Sequence, residues 1–234
     1  MCGAATGIGA ATARVLAREG AEVIVQYRTR EAEALQLCAD LRAAGGRARA
    51  AQGDLTDAGF VAALFSGEAP IDAFVHAVSA PLGPEPFAAA AWAAFQLQWE
   101  ASVKTAFLLL QSALACEPCP RAGVFVSSVV TSGVPPKDWS AYVTAKSALA
   151  GLVRSVAQEA AGRGLRLNLV SPGLTETPLT AGIDPRRREL AGRATPLKRL
   201  GTVDEAAAAI AFLLSSESAY IAGADLPVAG AAVL

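Results

Sequence analysis

Tyr142 and Lys146 stand four residues apart in the stretch from Ser140 to Ala161, which is rich in Ala, Leu and Val at helical spacing. Four residues is a little over one helical turn, so both side chains project from one face. An ammonium beside a phenol favours the phenolate and lowers the tyrosine pKa from about 10. Such a phenol can pass a proton to or from a substrate oxygen near neutral pH. Upstream, Val124-Phe125-Val126 reads as a buried strand, which puts Ser127 and Ser128 at its C-terminal end. Open α/β sheets bind ligands at that end, and a serine hydroxyl there can hold a substrate oxygen against Tyr142. The bland alternative is a Tyr/Lys pair decorating a helix surface. The rest of the chain decides between them.

A second chemical feature opens the chain. Gly3, Thr6, Gly7, Ile8 and Gly9 form a GxxxGxG run that leads into a helical pattern of small residues, Ala10 to Arg18. Glycines at this spacing let the backbone turn sharply and approach a pyrophosphate, which then rests on the helix N-terminus. A strand follows at Ala21 to Tyr27, in the order of a nucleotide-binding unit. The strand that should precede the glycines is expected to be missing, because the chain opens at Met1-Cys2, and the sheet to be damaged by its loss. About 20 residues past the glycines an acidic residue would bind the adenosine ribose 2′-OH and select NAD. None precedes Glu31; Tyr27, Arg28, Thr29 and Arg30 stand there instead. A basic, hydroxyl-bearing cluster suits a 2′-phosphate, so NADP(H) is favoured over NAD(H). The competing reading makes Arg28 and Arg30 solvated loop charges.

These features need elements to position them. Glu31 to Ala44 reads as an amphipathic helix ended by Gly45-Gly46, and Arg47 to Gln52 as a strand. At that strand's end Asp54, followed by Leu55, can bind the adenine amino group or cap the helix that starts near Asp57. Ile71 to Val78 is a further strand ending in His76-Ala77-Val78-Ser79, and the loop Pro81 to Pro86 borders the cofactor. His76 lies inside an apolar strand and reads as structural or backbone-bonded rather than catalytic. Ala88 to Leu114 reads as one long helix, Arg121 to Ser128 as a strand, and Val129 to Ser140 as a loop over the site. Leu165 to Val170 is a strand, Thr180 to Leu200 a polar lid-like segment, Val203 to Ser215 a helix, and Ala224 to Val228 a last strand. Alternating strands and helices argue an α/β fold, a doubly wound parallel sheet flanked by helices. No repeat or linker divides it, so 1–234 reads as a single domain with a substrate lid at about 174–200.

Composition narrows the function classes. The 234 residues are 53% hydrophobic and carry a net charge of −1, which gives no electrostatic case for nucleic acid or an anionic membrane. No apolar run reaches the roughly 18 residues of a membrane span, and no signal peptide opens the chain. Cys116 and Cys119 have CxxC spacing, but no second pair exists and the single histidine is distant in sequence, so no metal is expected. A reducing cytoplasm is the expected location.

Taken together, Gly3 to Gly9, Asp54-Leu55, Ser128, Tyr142-x-x-x-Lys146, Asn168 and Pro172-Gly173 with Thr177 resemble the short-chain dehydrogenase/reductase family, in its order and over essentially the whole chain. The resemblance implies a Rossmann-like fold and hydride transfer between a nicotinamide and a carbonyl or alcohol carbon. It implies Tyr142 as general acid/base, Ser128 as the group that orients the substrate oxygen, and Lys146 as the residue that tunes Tyr142 and binds the nicotinamide ribose. Pro172, Gly173, Thr175 and Thr177 would line the nicotinamide end, and Ala77, Val78 and Ser79 would lie along the cofactor. The Tyr27-Arg28-Thr29 stretch, the length and Arg166 to Val170 look most like the 3-oxoacyl-carrier-protein reductase group. The chain also departs from the family. Its Asn-Asn-Ala-Gly is His76-Ala77-Val78-Ser79 here, the catalytic asparagine falls near Ser102, Cys2 replaces a threonine, and Ala229-Gly230-Ala231 replaces Asp-Gly-Gly.

The expected function is therefore an NADP(H)-dependent carbonyl reductase or alcohol dehydrogenase, with 3-oxoacyl thioesters as one candidate substrate. The run Arg186, Arg187 and Arg188 could hold the phosphate of such a carrier-bound or coenzyme-A substrate, or be merely solvated. The alternative is a non-catalytic dinucleotide-binding module that senses cofactor or supports a partner, motivated by Ser102 and the loop at His76. By family analogy the chain forms a homodimer or homotetramer on the helices Ala88–Leu114 and Ser140–Ala161.

Overall fold

The computed structural model describes residues 1–67 and 69–232. Among these residues six strands form in chain order: β1 (Glu22–Tyr27), β2 (Arg47–Gln52), β3 (Ala73–His76), β4 (Ala122–Val126), β5 (Arg166–Pro172) and β6 (Asp225–Val228). Eight α-helices accompany them: α1 (Gly7–Arg18), α2 (Glu31–Ala43), α3 (Ala58–Phe65), α4 (Trp92–Trp99), α5 (Thr105–Ala115), α6 (Ser140–Gly162), α7 (Pro185–Ala194) and α8 (Val203–Leu214).

All the strand pairs are parallel: β1 with β2, and β3, β4, β5 and β6 in that order. The first residues of the chain join the two groups. Gln26 N donates to Met1 O at 3.0 Å, Cys2 N donates to Val75 O at 2.9 Å, and Ala77 N donates to Cys2 O at 3.0 Å. The expected vacancy is thus corrected. Met1-Cys2 lies between β1 and β3 and satisfies backbone groups of both, which a buried sheet requires. The chain reverses its winding there, and such a switch point opens a crevice at the C-terminal ends of the strands.

Alternation along the strands explains how both faces are covered. Phe74, Phe125, Leu167 and Leu169 point to one side and pack with α3, α5 and α6. Val75, Val124, Val126 and Val170 point to the other and meet Ile210 and Leu213 of α8. A third cluster joins α1, α2 and β1 through Ala13, Val25, Leu37 and Leu41. No helix among the described residues is long and apolar enough to cross a membrane.

Two expected elements differ from what forms. The helix expected at Ala88–Leu114 starts only at Trp92, after a 3₁₀ turn at Phe87–Ala89, and passes through a π turn at Glu100–Lys104 before α5. A π turn carries one extra residue per turn and re-aims the side chains within it. The polar segment 180–200 contains a true helix, α7. Asp184 caps it by accepting from Arg186 N at 2.7 Å, with Pro185 in its first turn, where the missing proline N–H costs nothing.

Candidate functional site

The catalytic candidates meet where β4 ends and α6 begins. Ser127 N donates to Val170 O at 2.8 Å, so the strand stays paired up to the residue before Ser128. Ser128 is extended, its Oγ accepting from Val130 N at 3.4 Å. Tyr142 sits in the first turn of α6, its ring edge-on to Trp139 at 5.8 Å. Lys146 is 1% exposed, and its Nζ donates to Val126 O at 2.9 Å, 5.8 Å from the centre of the Tyr142 ring.

The electrostatics of this set correct an expectation. Burial pushes the Tyr142 phenol above its ordinary value, and a hydrogen bond with Ser128 pulls it partly back. Burial also brings the Lys146 ammonium down to about 8. Desolvation disfavours the charged form of both groups, and the ammonium spends its close contact on a carbonyl. The lysine therefore does not lower the tyrosine here. A neutral phenol beside a serine hydroxyl can donate a proton to a carbonyl oxygen, and a positive charge added nearby would favour the reverse.

Ser102 lies in the π turn, fully buried, with no partner for its hydroxyl. Ser127 Oγ and His76 Nδ1 are likewise unpartnered. His76 Nε2 lies 2.7 Å from Thr105 Oγ1, and Thr105 Oγ1 donates to Ala101 O at 2.7 Å. A hydroxyl has one proton to give, so Thr105 accepts from His76 Nε2–H and Nδ1 is left as a bare acceptor. Burial first, then the Lys146 charge, brings the His76 pKa down to about 3. His76 is a neutral core residue held by a hydroxyl rather than by backbone.

The glycine loop fits a dinucleotide. Gly3 has φ +70°, and a Cβ there would lie 2.7 Å from Ala77 O; one on Gly9 would lie 2.3 Å from Gly3 O. No other residue could bring these three backbones together. Thr6 stands at the α1 N-cap without a side-chain cap bond, Ile8 follows in the first turn, and that turn holds no acid. Its amides and the helix dipole are left for an anion such as a pyrophosphate. Gln26, which sequence reasoning overlooked, is buried and fastens the loop. Its Oε1 accepts from Gly3 N at 3.1 Å and its Nε2 donates to Gly53 O at 2.8 Å.

The ribose end is less open than its sequence implies. Tyr27 is buried, and its hydroxyl donates to Glu31 at 3.1 Å instead of facing the crevice. Arg28 pairs with Asp54 at 3.4 Å and Arg30 with Glu33 at 3.3 Å, while Thr29 is exposed. Asp54 Oδ1 accepts from Thr56 N at 2.8 Å, which holds its carboxyl below the usual range. Asp54 caps no helix; Asp57 caps α3, accepting from Gly59 N at 2.8 Å. Leu55 is a core residue.

At the other end of the crevice, Gly173 N donates to Val228 O at 2.9 Å and Thr175 Oγ1 donates to Gly173 O at 3.0 Å, fixing the turn after Pro172. A Cβ on Gly7 would stand 3.6 Å from Thr177 Cβ, so Thr177 closes on the glycine loop. Ala77 takes part in the pairing with Cys2, and Val78 and Ser79 follow it half-buried. Asn168 is structural, its amide tied to Ile221 O and Ala224 N at 2.9 Å each.

Two hollows open on this side of the molecule. One of about 110 Å³ lies beside Tyr142, walled by the loop after β3, by α4 and by the turn before α6. A larger one, about 700 Å³, lies between α1, α2 and the start of α8; it touches the glycine loop at Thr6 and Gly7 and none of Ser128, Tyr142 or Lys146 lines it. Tyr142, the acid/base candidate, lines the smaller one. Trp139, Gln98, Glu85 and Asp138, which wall it, carried no sequence signal, because their meeting depends on how two loops dock.

A family profile described as Enoyl-(Acyl carrier protein) reductase matches residues 3–230. The cis-4-hydroxycyclohexanecarboxylate dehydrogenase of Sinomonas cyclohexanicum is 35% identical, over 97% of this chain and 93% of that protein. The 3-oxoacyl-[acyl-carrier-protein] reductase of Thermotoga maritima is 39% identical, but over only 47% of this chain and 45% of its own. Among solved structures, the promiscuous reductase LugOII, which catalyses keto-reduction at C1 during lugdunomycin biosynthesis, superposes with a TM-score of 0.89 at 30% identity, over 100% of this chain and 96% of its own. Fold and site define a nicotinamide-dependent oxidoreductase. The chain belongs to the short-chain dehydrogenase/reductase family.

Proposed function

We propose that this protein is an NADP(H)-dependent oxidoreductase that interconverts a carbonyl and an alcohol, with Tyr142 as general acid/base. One observation carries the reading. A half-buried phenol beside Ser128, one helical turn from a buried lysine, stands at the C-terminal end of the sheet near a glycine loop that leaves helix amides free.

In the reductive direction Ser128 Oγ and Tyr142 Oη would hold the carbonyl oxygen, and a bound nicotinamide would supply hydride to its carbon. As negative charge grows on that oxygen, Tyr142 gives up its proton, and the neutral phenol found here is the form that can do so. Lys146 would hold the nicotinamide ribose, and the Ser128 hydroxyl steadies the phenolate left behind. Pro172, Gly173, Thr175 and Thr177, on the turn fixed by the Gly173–Val228 and Thr175–Gly173 bonds, would line the nicotinamide end. Arg28 supports NADP(H): its surface pair with Asp54 is worth about 0–1 kcal/mol, so it can turn to a 2′-phosphate at small cost. The segment 174–200 acts as a lid, and the active form is a dimer or tetramer.

The names of the Sinomonas relative and of LugOII point to secondary alcohols and ketones. A 3-oxoacyl thioester draws support only from the partial match. A second reading, a non-catalytic dinucleotide-binding module, rests on Ser102, whose short hydroxyl finds no partner where the family places an asparagine.

Fluorescence titration with NADPH and NADH, followed by turnover on a ketone panel, separates the two. Tighter NADPH binding with turnover that Tyr142→Phe reduces at least about 100-fold supports the enzyme. Binding without turnover across the panel favours the module.

A further inference from the structure

The 110 Å³ hollow beside Tyr142 is a built wall. Glu85 N donates to Asp138 O at 2.8 Å and locks the loop after β3 onto the turn before α6. Gln98 Nε2 donates to Pro81 O at 2.9 Å and locks α4 onto the same loop. The volume is a little below the roughly 150 Å³ of an apolar cavity that takes up benzene. It suits one ring, and is too small for an acyl chain with a pantetheine arm.

The charged groups of this wall are all of one sign. Besides Tyr142, its ionisable side chains are Glu85 and Asp138, both half-buried, and neither forms an ion pair with a described residue. No lysine or arginine lines it; Lys137, next in sequence to Asp138, stays outside. Gln98 is 4% exposed, and donation by its nitrogen to a carbonyl fixes which way the amide points. Its Oε1 is therefore an acceptor, and it has no donor. Two carboxylates and an amide oxygen accept hydrogen bonds, the Ser140 hydroxyl and the Trp139 indole N–H are the uncharged donors beside Tyr142, and Leu82 and Leu97 supply apolar surface. Such a wall attracts a donor or a cation and repels an anion.

We propose that this hollow is the substrate subsite and that Glu85, Asp138 and Gln98 set its selectivity. The substrate is a compact, single-ring ketone or secondary alcohol bearing a hydroxyl or ammonium group away from the reacting carbon, and no carboxylate or phosphate. The inference rests on the reading of Tyr142 as the group that handles the reacting oxygen.

The test compares NADPH-linked reduction of cyclohexanone, 4-hydroxycyclohexanone, 4-aminocyclohexanone, 4-oxocyclohexanecarboxylate and acetoacetyl-coenzyme A. The hydroxy and amino ketones should exceed the parent in kcat/KM by about tenfold, with the carboxylate and the thioester below it. Glu85→Gln with Asp138→Asn should shrink the amine-to-carboxylate ratio by about tenfold, and Gln98→Leu should abolish the hydroxyl advantage. A best rate on the carboxylate or the thioester, or ratios unmoved by these substitutions, overturns the proposal. If no ketone turns over, the reductase reading fails separately. Saturation-transfer NMR with the same ketones then decides: donor-bearing ketones bound above the parent sustain the subsite, and equal binding or preferred carboxylate removes it.

Discussion

Burial brings Lys146 down to about 8, so the free enzyme loses that charge as pH rises through the mildly alkaline range. Because the ammonium would hold the nicotinamide ribose, kcat/KM for NADPH should be flat below pH 8 and fall about tenfold per unit above it. Lys146→Arg, which does not titrate there, should be less active but keep a flat profile beyond pH 9. An unchanged alkaline limb in that variant would assign the limb to another group. His76 gives the opposite sign at the acid end. Its folded pKa of about 3 lies below the ordinary 6.5, so the unfolded chain binds the extra proton between those values. The His76 contribution to stability is complete above pH 6.5 and is lost as pH falls, by up to about 1.4 kcal/mol per unit. As the single histidine, it adds its slope between pH 6.5 and 5 to that of the Met1 amino group, which burial also lowers. Urea unfolding of His76→Gln should lose the histidine's share of that slope, and an unchanged slope would contradict the assignment.

The elements around these residues differ in how far the sequence announces them. The glycine spacing and the Tyr142/Lys146 spacing are local, because helical turns and glycine turns are set by residues within one or two turns of each other. Both were therefore readable, as was the alternation of strands and helices. What could not be read is held by contacts distant in sequence. Met1-Cys2 substitutes for a strand only because β1 and β3 approach it from both sides, and Gln26 reaches the glycine loop from 23 residues away. Tyr27 looked like a cofactor residue and is a core residue instead, because its ring packs with the α1–α2 cluster while its hydroxyl turns to Glu31. The π turn, which buries Ser102, leaves no trace in apolar periodicity. The tightest of these junctions gives a direct test. A Cβ at Gly9 would sit 2.3 Å from Gly3 O, so Gly9→Ala must push α1 off the Met1–Gly3 segment. Overpacking of this kind typically costs about 1–3 kcal/mol, and it displaces the amides proposed to hold the pyrophosphate. Expected results are a lower urea midpoint and at least about tenfold weaker NADPH binding; wild-type affinity in Gly9→Ala would show that the loop does not hold the cofactor.

At the scale of the whole molecule, the sheet is covered on both faces by its own helices, yet a row of large apolar side chains remains outside. Trp92 is 73% exposed on α4, and Trp99 at 41% and Phe107 at 45% stand where α4 runs through the π turn into α5. Scattered apolar residues are ordinary on a surface, but aromatic ones gathered along one helical run mark a contact face. The active dimer or tetramer proposed for this chain would use it, since α6, packed beside the π turn, brings small residues such as Ala141, Ser147 and Gly151 to the same side of the sheet. Phe107→Asp separates assembly from folding, because a side chain already half in solvent should not destabilise the subunit when replaced by a charge. Light scattering after gel filtration should then report a monomer in the variant and an oligomer in the wild type at the same concentration, with matching circular dichroism. Since α4 also carries Gln98 and Leu97 of the Tyr142 hollow, loss of assembly should raise KM for ketones more than it alters NADPH binding. An oligomer that survives Phe107→Asp would move the interface to another face, and a wild-type monomer would leave these aromatics without a role in assembly.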